Sequence, residues 1–127
     1  MTAEDVIHRL APEECRRRLS TVRSGRLAIT SGALPRIVPV EFTVGDDEIL
    51  LWCRRGSETF RGARDKVVAF EASGPGTVGD GGQGWSVTVT GIAKDHGLAE
   101  MADGWLLALP LDGVSGVELP PGRDQLP

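Results

Sequence analysis

The stretch Gly84-Trp85-Ser86-Val87-Thr88-Val89-Thr90-Gly91-Ile92-Ala93 decides the fold class. Trp85, Val87 and Val89 fall on one face and Ser86, Thr88 and Thr90 on the other, the period of two that a pleated strand imposes. β-branched and aromatic residues suit a half-buried pleated surface. Gly84 and Gly91 bracket the run, and Gly91 is a candidate bulge or bend. Such a strand needs neighbours, and the sequence on both sides supplies them.

Upstream, Gly25 to Thr30 reads as a strand with Leu27 and Ile29 on one face. Ser31-Gly32-Ala33-Leu34-Pro35 is a turn. Arg36 to Val44 follows, with Val38, Val40, Phe42 and Val44 sharing a face. Pro39 has no N–H to give a ladder, which places it at an edge, a bulge or a ligand-facing gap. Gly45-Asp46-Asp47 is a hairpin turn. Glu48 to Arg54 holds Ile49-Leu50-Leu51-Trp52-Cys53, and so continuous an apolar run predicts burial on both faces. Lys66 to Ala72 is a fourth strand, and Trp105 to Leu111 another that Asp112 to Leu119 extends. Ala11 to Val22 starts as a helix, with proline in its first turn, Glu13 and Glu14 at the positive end of the dipole, and Arg16, Arg17 and Arg18 further on. That arginine run is expected to be a solvated face. Ser57 is an N-cap for a short helix from Glu58 to Arg64. Ser73 to Gly84 is a glycine-rich loop, Leu98 to Gly104 a short helix or turn, and the segments before Leu10 and after Leu119 are frayed ends.

Composition narrows the function. The chain has 127 residues, 40% hydrophobic and 25% charged, which fits one globular domain. Glycine (17) and proline (8) fit a turn-rich β fold. A formal net charge of −4 argues against a nucleic-acid binder. No apolar run is long enough to span a bilayer and no secretory leader appears, so a cytoplasmic location is expected. Cys15 and Cys53 match no metal spacing and read as small buried residues, with a disulfide left open. His8 and His96 have no partner at ligand spacing, and no catalytic triad or carboxylate pair can be assembled. The catalytic group, if any, is therefore unassigned.

Five segments in order then resemble one family: Ser24-Gly25-Arg26-Leu27-Ala28; Pro35-Arg36-Ile37-Val38-Pro39-Val40-Glu41-Phe42; a strand ending at Arg55-Gly56-Ser57; Lys66-Val67-Val68-Ala69-Phe70-Glu71; and Gly84-Trp85-Ser86-Val87-Thr88-Val89-Thr90-Gly91. Over residues 12–119 the chain resembles the pyridoxamine 5′-phosphate oxidase-like flavin-binding split barrels. The resemblance implies a mainly β fold, a six-stranded antiparallel split β-barrel with short flanking helices, that forms a homodimer and holds FMN at the dimer interface. Some members of the family take a deazaflavin coenzyme instead. Carried over residue by residue, Val38, Pro39 and Val40 approach the isoalloxazine ring. Leu51, Trp52, Cys53 and Arg54 lie beside the ring and ribityl chain. Gly56 and Ser57 begin the phosphate turn, and Trp85 and Ser86 reach the cofactor from the partner subunit. An oxidoreductase with unknown small-molecule substrate is the function implied. Glu58 departs from the pattern: the position after the Gly-Ser pair commonly carries a cation in FMN binders. That departure supports an alternative, a dimeric split-barrel interaction module that has lost its flavin.

Overall fold

The computed structural model describes residues 8–76, 84–98 and 103–118. Among them are nine strands and two α-helices: β1 (His8–Arg9), α1 (Pro12–Leu19), β2 (Ser24–Ser31), β3 (Leu34–Val44), β4 (Glu48–Arg54), α2 (Glu58–Ala63), β5 (Val67–Gly74), β6 (Trp85–Ile92), β7 (Lys94–Leu98), β8 (Gly104–Pro110) and β9 (Val114–Glu118). A single 3-10 turn, Leu111–Gly113, links β8 to β9. The strands form one antiparallel sheet in the order β1-β9-β6-β5-β2-β3-β4-β8-β7. The sheet curls until β6 meets β8 across the core, giving a split barrel.

The strand count corrects the expected six. β1 is two exposed polar residues paired with β9, too short to leave a pattern. β7 reads Lys-Asp-His-Gly-Leu and pairs with β8 through its backbone, with a bulge between Asp95 and Gly97. Neither strand has the apolar alternation that betrays a half-buried strand. β5 runs on through Ser73 and Gly74, residues assigned above to the loop, while residues 77–83 and 99–102 lie outside the described residues.

Alternation does most of the packing. Leu27 and Ile29 of β2, Val40 and Phe42 of β3, Val68 and Phe70 of β5, and Trp85, Val87 and Val89 of β6 all point into the core. Phe42 and Phe70 meet edge to face, ring centroids 4.7 Å apart. Gly25 makes room for this pair: a Cβ there would lie 2.6 Å from the Phe70 ring and 2.5 Å from the Glu71 carbonyl oxygen. β4 does not behave as its continuous apolar run predicts. Ile49, Leu51 and Cys53 are buried, but Leu50 and Trp52 on its other face are only half-buried. No bulge falls at Gly91, since the register with β5 runs unbroken through Ile92. The β2–β3 hairpin closes on Gly32 and Ala33, both at positive φ (57° and 68°), the two-residue turn whose twist matches the flanking strands.

Helix α1 seals one end of the barrel with buried Cys15 and Leu19. The arginine run is not uniformly solvated. Arg16 donates to the backbone carbonyls of Gly45 and Asp46 in the β3–β4 turn. Arg18 is 8% exposed and donates to the Glu14 carboxylate (2.6 Å) and to Glu118 (3.2 Å). Glu14 also accepts from Arg17, and these two arginines, Arg17 foremost, hold its carboxyl below the usual range. Cys15 and Cys53 are both buried free thiols.

Candidate functional site

The site begins where two strands stop pairing. β2 pairs with β3 from Ser24↔Glu41 to Ser31↔Leu34. β4 pairs with β3 only from Glu41↔Trp52 to Val44↔Ile49. Beyond Trp52, β4 stays with β8, as Cys53↔Trp105 and Arg54↔Gly104. The segment of β3 from Leu34 to Val40 therefore has one partnered edge and one open edge. Antiparallel ladders send alternate residues' backbone groups to opposite sides. Phe42 N–H donates to the Arg23 carbonyl (3.0 Å) and Gly45 N–H to the Glu48 carbonyl (2.7 Å), which sets the phase. Even-numbered residues of β3 thus face β2, and Pro35, Ile37 and Pro39 face the gap. Two of these three are prolines, so Ile37 supplies the one backbone donor there, with the carbonyls as acceptors. This accounts for Pro39: its missing N–H lies on the open side.

A groove of about 420 Å³ fills this parting, lined by Ser24, Pro39, Val40, Glu41, Trp52, Cys53, Arg54, Ser57 and Thr59. Six of the residues singled out from sequence meet here: Pro39, Val40, Trp52, Cys53, Arg54 and Ser57. Trp52 forms an apolar wall, and its indole Nε1 is buried without a hydrogen-bond partner among the described residues. A buried orphan donor costs about 1–3 kcal/mol. Cys53 turns its side chain inward, and burial pushes its thiol up to about 11, too high for a thiolate nucleophile at neutral pH.

The other six lie apart from the groove. Val38 packs against the core from the same strand and Leu51 is fully buried in it. Gly56, at φ 73°, forms the turn after β4, and its carbonyl accepts from Arg61. Trp85 is a core residue, packed against Gly74, and walls no groove within this chain. Ser86 donates to Glu71 (2.9 Å). Glu58 sits between Ser57 and Thr59, but its carboxylate turns away. It accepts from the Ser31 hydroxyl (3.2 Å) and pairs with Arg36 (3.3 Å), latching the β2–β3 hairpin onto α2. Its charge is matched by a guanidinium rather than aimed into the groove.

Ser57 is the N-cap expected, its hydroxyl accepting from Phe60 N–H at 3.1 Å. Arg55 stacks on Trp105, 5.0 Å from the ring centroid, and Arg64 on Phe60, so neither is placed in the groove. Arg54 is the cation that lines it. Sequence reasoning missed Ser24, Glu41 and Thr59 as lining residues and Ile37 as the backbone donor. The Pro-x-Ile-x-Pro spacing at 35–39 was the available signal for the last. Among the described residues no group of three or more His, Cys, Asp or Glu side chains is placed to hold a metal ion.

Known proteins share this fold. An FAD-binding protein from Mycobacterium smegmatis shares 28% identity and a TM-score of 0.74, over 91% of this chain and 100% of its own. An FAD-binding protein from Mesorhizobium loti shares the fold at 20% identity and a TM-score of 0.71, covering 89% of this chain and 96% of its own. A FAD and heme binding protein from Mycobacterium smegmatis does so at 16% identity and 0.72, covering 92% and 77%. No curated protein matches the sequence. Residues 11–107 match the pyridoxamine 5′-phosphate oxidase family, a span reaching from the first helix into β8. The chain belongs to the pyridoxamine 5′-phosphate oxidase family.

Proposed function

We propose that this chain binds a flavin in the groove where β3 and β4 part, and serves as a flavin-dependent oxidoreductase. The observation that carries the reading is the open β3 edge beside Trp52. A flavin needs a flat apolar slot, backbone partners for its pyrimidine edge and polar groups for its phosphate. Pro39, Val40 and Trp52 provide the first. The Ile37 N–H and the Ile37 and Pro39 carbonyls provide the second. Arg54, Ser57 and Thr59, at the far end, provide the third. Trp52 Nε1 is a further donor, without an acceptor among the described residues. The groove volume lies within the usual range for ligand sites.

What the groove holds is the portion common to FMN, FAD and deazaflavin coenzymes: tricyclic ring, ribityl chain and first phosphate. FAD binding by the Mycobacterium smegmatis relative supports a flavin without deciding the form. When bound, the ring supplies the redox chemistry. The protein orients it, excludes water from the Trp52 face and matches the phosphate charge. Glu58 no longer favours a module without flavin, because its carboxylate is engaged by Ser31 and Arg36.

A homodimer belongs to the same proposal. The apolar load expected to drive it, on Leu50, Leu51, Trp52 and Val87, is partly internal: Leu51 and Val87 are fully buried. The outer face offers another surface, Ile37 (72% exposed) in register with Ala28 and Ala69, and Val67 (70%) paired with Ile92 (44%). A stable interface there would bury upwards of about 1,000 Å². Titration of the purified protein with FMN, FAD and a deazaflavin, followed by Trp quenching and ligand absorbance, tests the site. Saturable binding of one flavin per chain is expected, and a folded protein that binds none of the three overturns the reading. Sedimentation at micromolar concentration tests the dimer, and a monomer refutes it.

A further inference from the structure

A second hollow flanks the first turn of α2. Ser57 and Thr59 line the groove beside Trp52, whereas Glu58 turns to the other side. There a hollow of about 220 Å³ is lined by Thr30, Ser31, Glu58, Arg61, Lys66 and two glycines. No apolar side chain lines it, and it is smaller than the usual cleft for an organic ligand. None of Ile37, Val67 and Ile92, from the face proposed for the dimer, is among its lining residues. We infer that this hollow binds a phosphate-class oxyanion between Arg61 and Lys66, at a site separate from the groove beside Trp52.

Arg61 and Lys66 carry the inference. Arg61 donates from Nη1 to the Gly56 carbonyl, which draws the side chain back along the helix. Its Nε and Nη2 groups form the lateral edge away from Nη1, and they have no acceptor among the described residues. Two parallel N–H groups on one such edge match two oxygens of a single phosphate. Lys66 donates from Nζ to the Arg61 carbonyl (3.1 Å) and keeps two of its three N–H groups. The backbone holds Lys66 there. Asp65 turns the chain at φ 60° and gives its N–H to the Ala93 carbonyl (2.7 Å), and the Lys66 N–H returns to the Ala63 carbonyl (3.1 Å). Thr30 adds a hydroxyl from β2.

Charge favours a dianion. Among the described residues neither Arg61 nor Lys66 has a carboxylate partner. Glu58 also lines the hollow, but Ser31 and Arg36 engage its two oxygens. Asp65, the other acid close by in sequence, is engaged by Arg64 (3.8 Å) and Lys94 (3.6 Å). Arg36, Arg61 and Lys66 set against Glu58 leave two positive charges unmatched, on a chain whose net charge is −4. A tetrahedral dianion matches that excess and accepts donors from both sides. Such an anion comes either as free phosphate or as the second phosphate of a dinucleotide flavin whose first phosphate would lie across the same helical turn. The second source rests on the flavin reading, whereas the site itself does not.

Inorganic phosphate is the probe, titrated calorimetrically into the flavin-free protein at low, fixed ionic strength, with nitrate alongside. One phosphate per chain is expected, bound more tightly than nitrate. Arg61→Gln and Lys66→Gln should each weaken it about tenfold, the scale of a hydrogen bond to a charged group. Arg9→Gln, which removes the same charge from the edge strand β1, should leave it unchanged. Thermal melts establish that each variant is folded. Titrations with FMN and FAD then identify the source. Weaker FAD with unchanged FMN in Arg61→Gln assigns the anion to a dinucleotide, and no change in either flavin assigns it to free phosphate. Failure of wild type to bind either flavin, with Arg61-dependent phosphate binding intact, would overturn the flavin reading and leave this site standing. No phosphate binding to wild type, equal binding of nitrate, unchanged affinity in either variant, or equal losses of FMN and FAD in Arg61→Gln would overturn the inference.

Discussion

Two regions of the same sheet are built on opposite plans. On one side β5 is zipped to β6 from Val67↔Ile92 to Gly74↔Trp85 and β6 to β9 from Trp85↔Glu118 to Val89↔Val114, and their inward residues pack into the core. On the other, β3 leaves β4 after four residues and keeps an open edge from Leu34 to Val40. The zipped side satisfies its backbone within itself. The parted side leaves an indole N–H, an amide and several carbonyls looking for partners, and supports them with a helix turn and an ion pair. Stability and ligand affinity should therefore respond to different residues.

The largest effect expected is on the zipped side. Phe70→Ala removes a fully buried ring that packs on Phe42 and faces Gly25. It should cost about 3–5 kcal/mol of unfolding free energy, read from denaturant melts. A loss under about 1 kcal/mol would mean that the core does not carry the fold as described.

Cys53 tests how firmly the parted side is closed. It lies on the wall of the groove, yet its thiol points inward and burial holds it near 11. At pH 8 a thiol-labelling reagent should react about two hundredfold more slowly than with an ordinary cysteine, from the thiolate fraction alone. Because the folded value is raised above the unfolded one, the folded state binds more protons between them. Its contribution to stability is intact below about pH 9 and falls as pH climbs toward 11. Fast labelling in the native protein would show that the wall opens.

The smallest effect on stability is expected at Trp52, and there the comparison is sharpest. Trp52→Phe keeps an apolar wall and deletes a donor that has no partner among the described residues. Unfolding free energy should change by less than about 1 kcal/mol, while flavin affinity should drop several-fold if that N–H meets the ligand. A large stability loss with unchanged flavin affinity would make Trp52 a core residue and move the site elsewhere.

The half-buried strands on both sides were legible because they alternate: the faces read for the Gly25, Arg36, Lys66 and Trp85 strands are the faces the core uses. β1 and β7 were not, because they are held by backbone bonds that leave no mark on side-chain choice. Trp85 was ambiguous for a related reason. A tryptophan at the start of a strand reads equally as wall or core, and only the position of Gly74 across the ladder shows that it is core. Glu58 was read as a charge opposed to a phosphate because Ser31 and Arg36 are 27 and 22 residues away in sequence, and nothing local announces the latch. Arg18 was hidden likewise, since one of its partners, Glu118, lies 100 residues on.

The prolines at 35 and 39 have a consequence for the protein as a colloid. An unpaired strand edge invites another strand from another molecule, and chains that add to one another in this way grow without limit. A neighbouring strand needs donors at every second residue along the edge, and here only Ile37 offers one. The edge is too poor in donors to propagate a sheet but sufficient for a single compact molecule. The gap between β3 and β4 can thus stay open in a crowded solution without becoming a seed for fibrils, and replacing both prolines by valine would remove that protection.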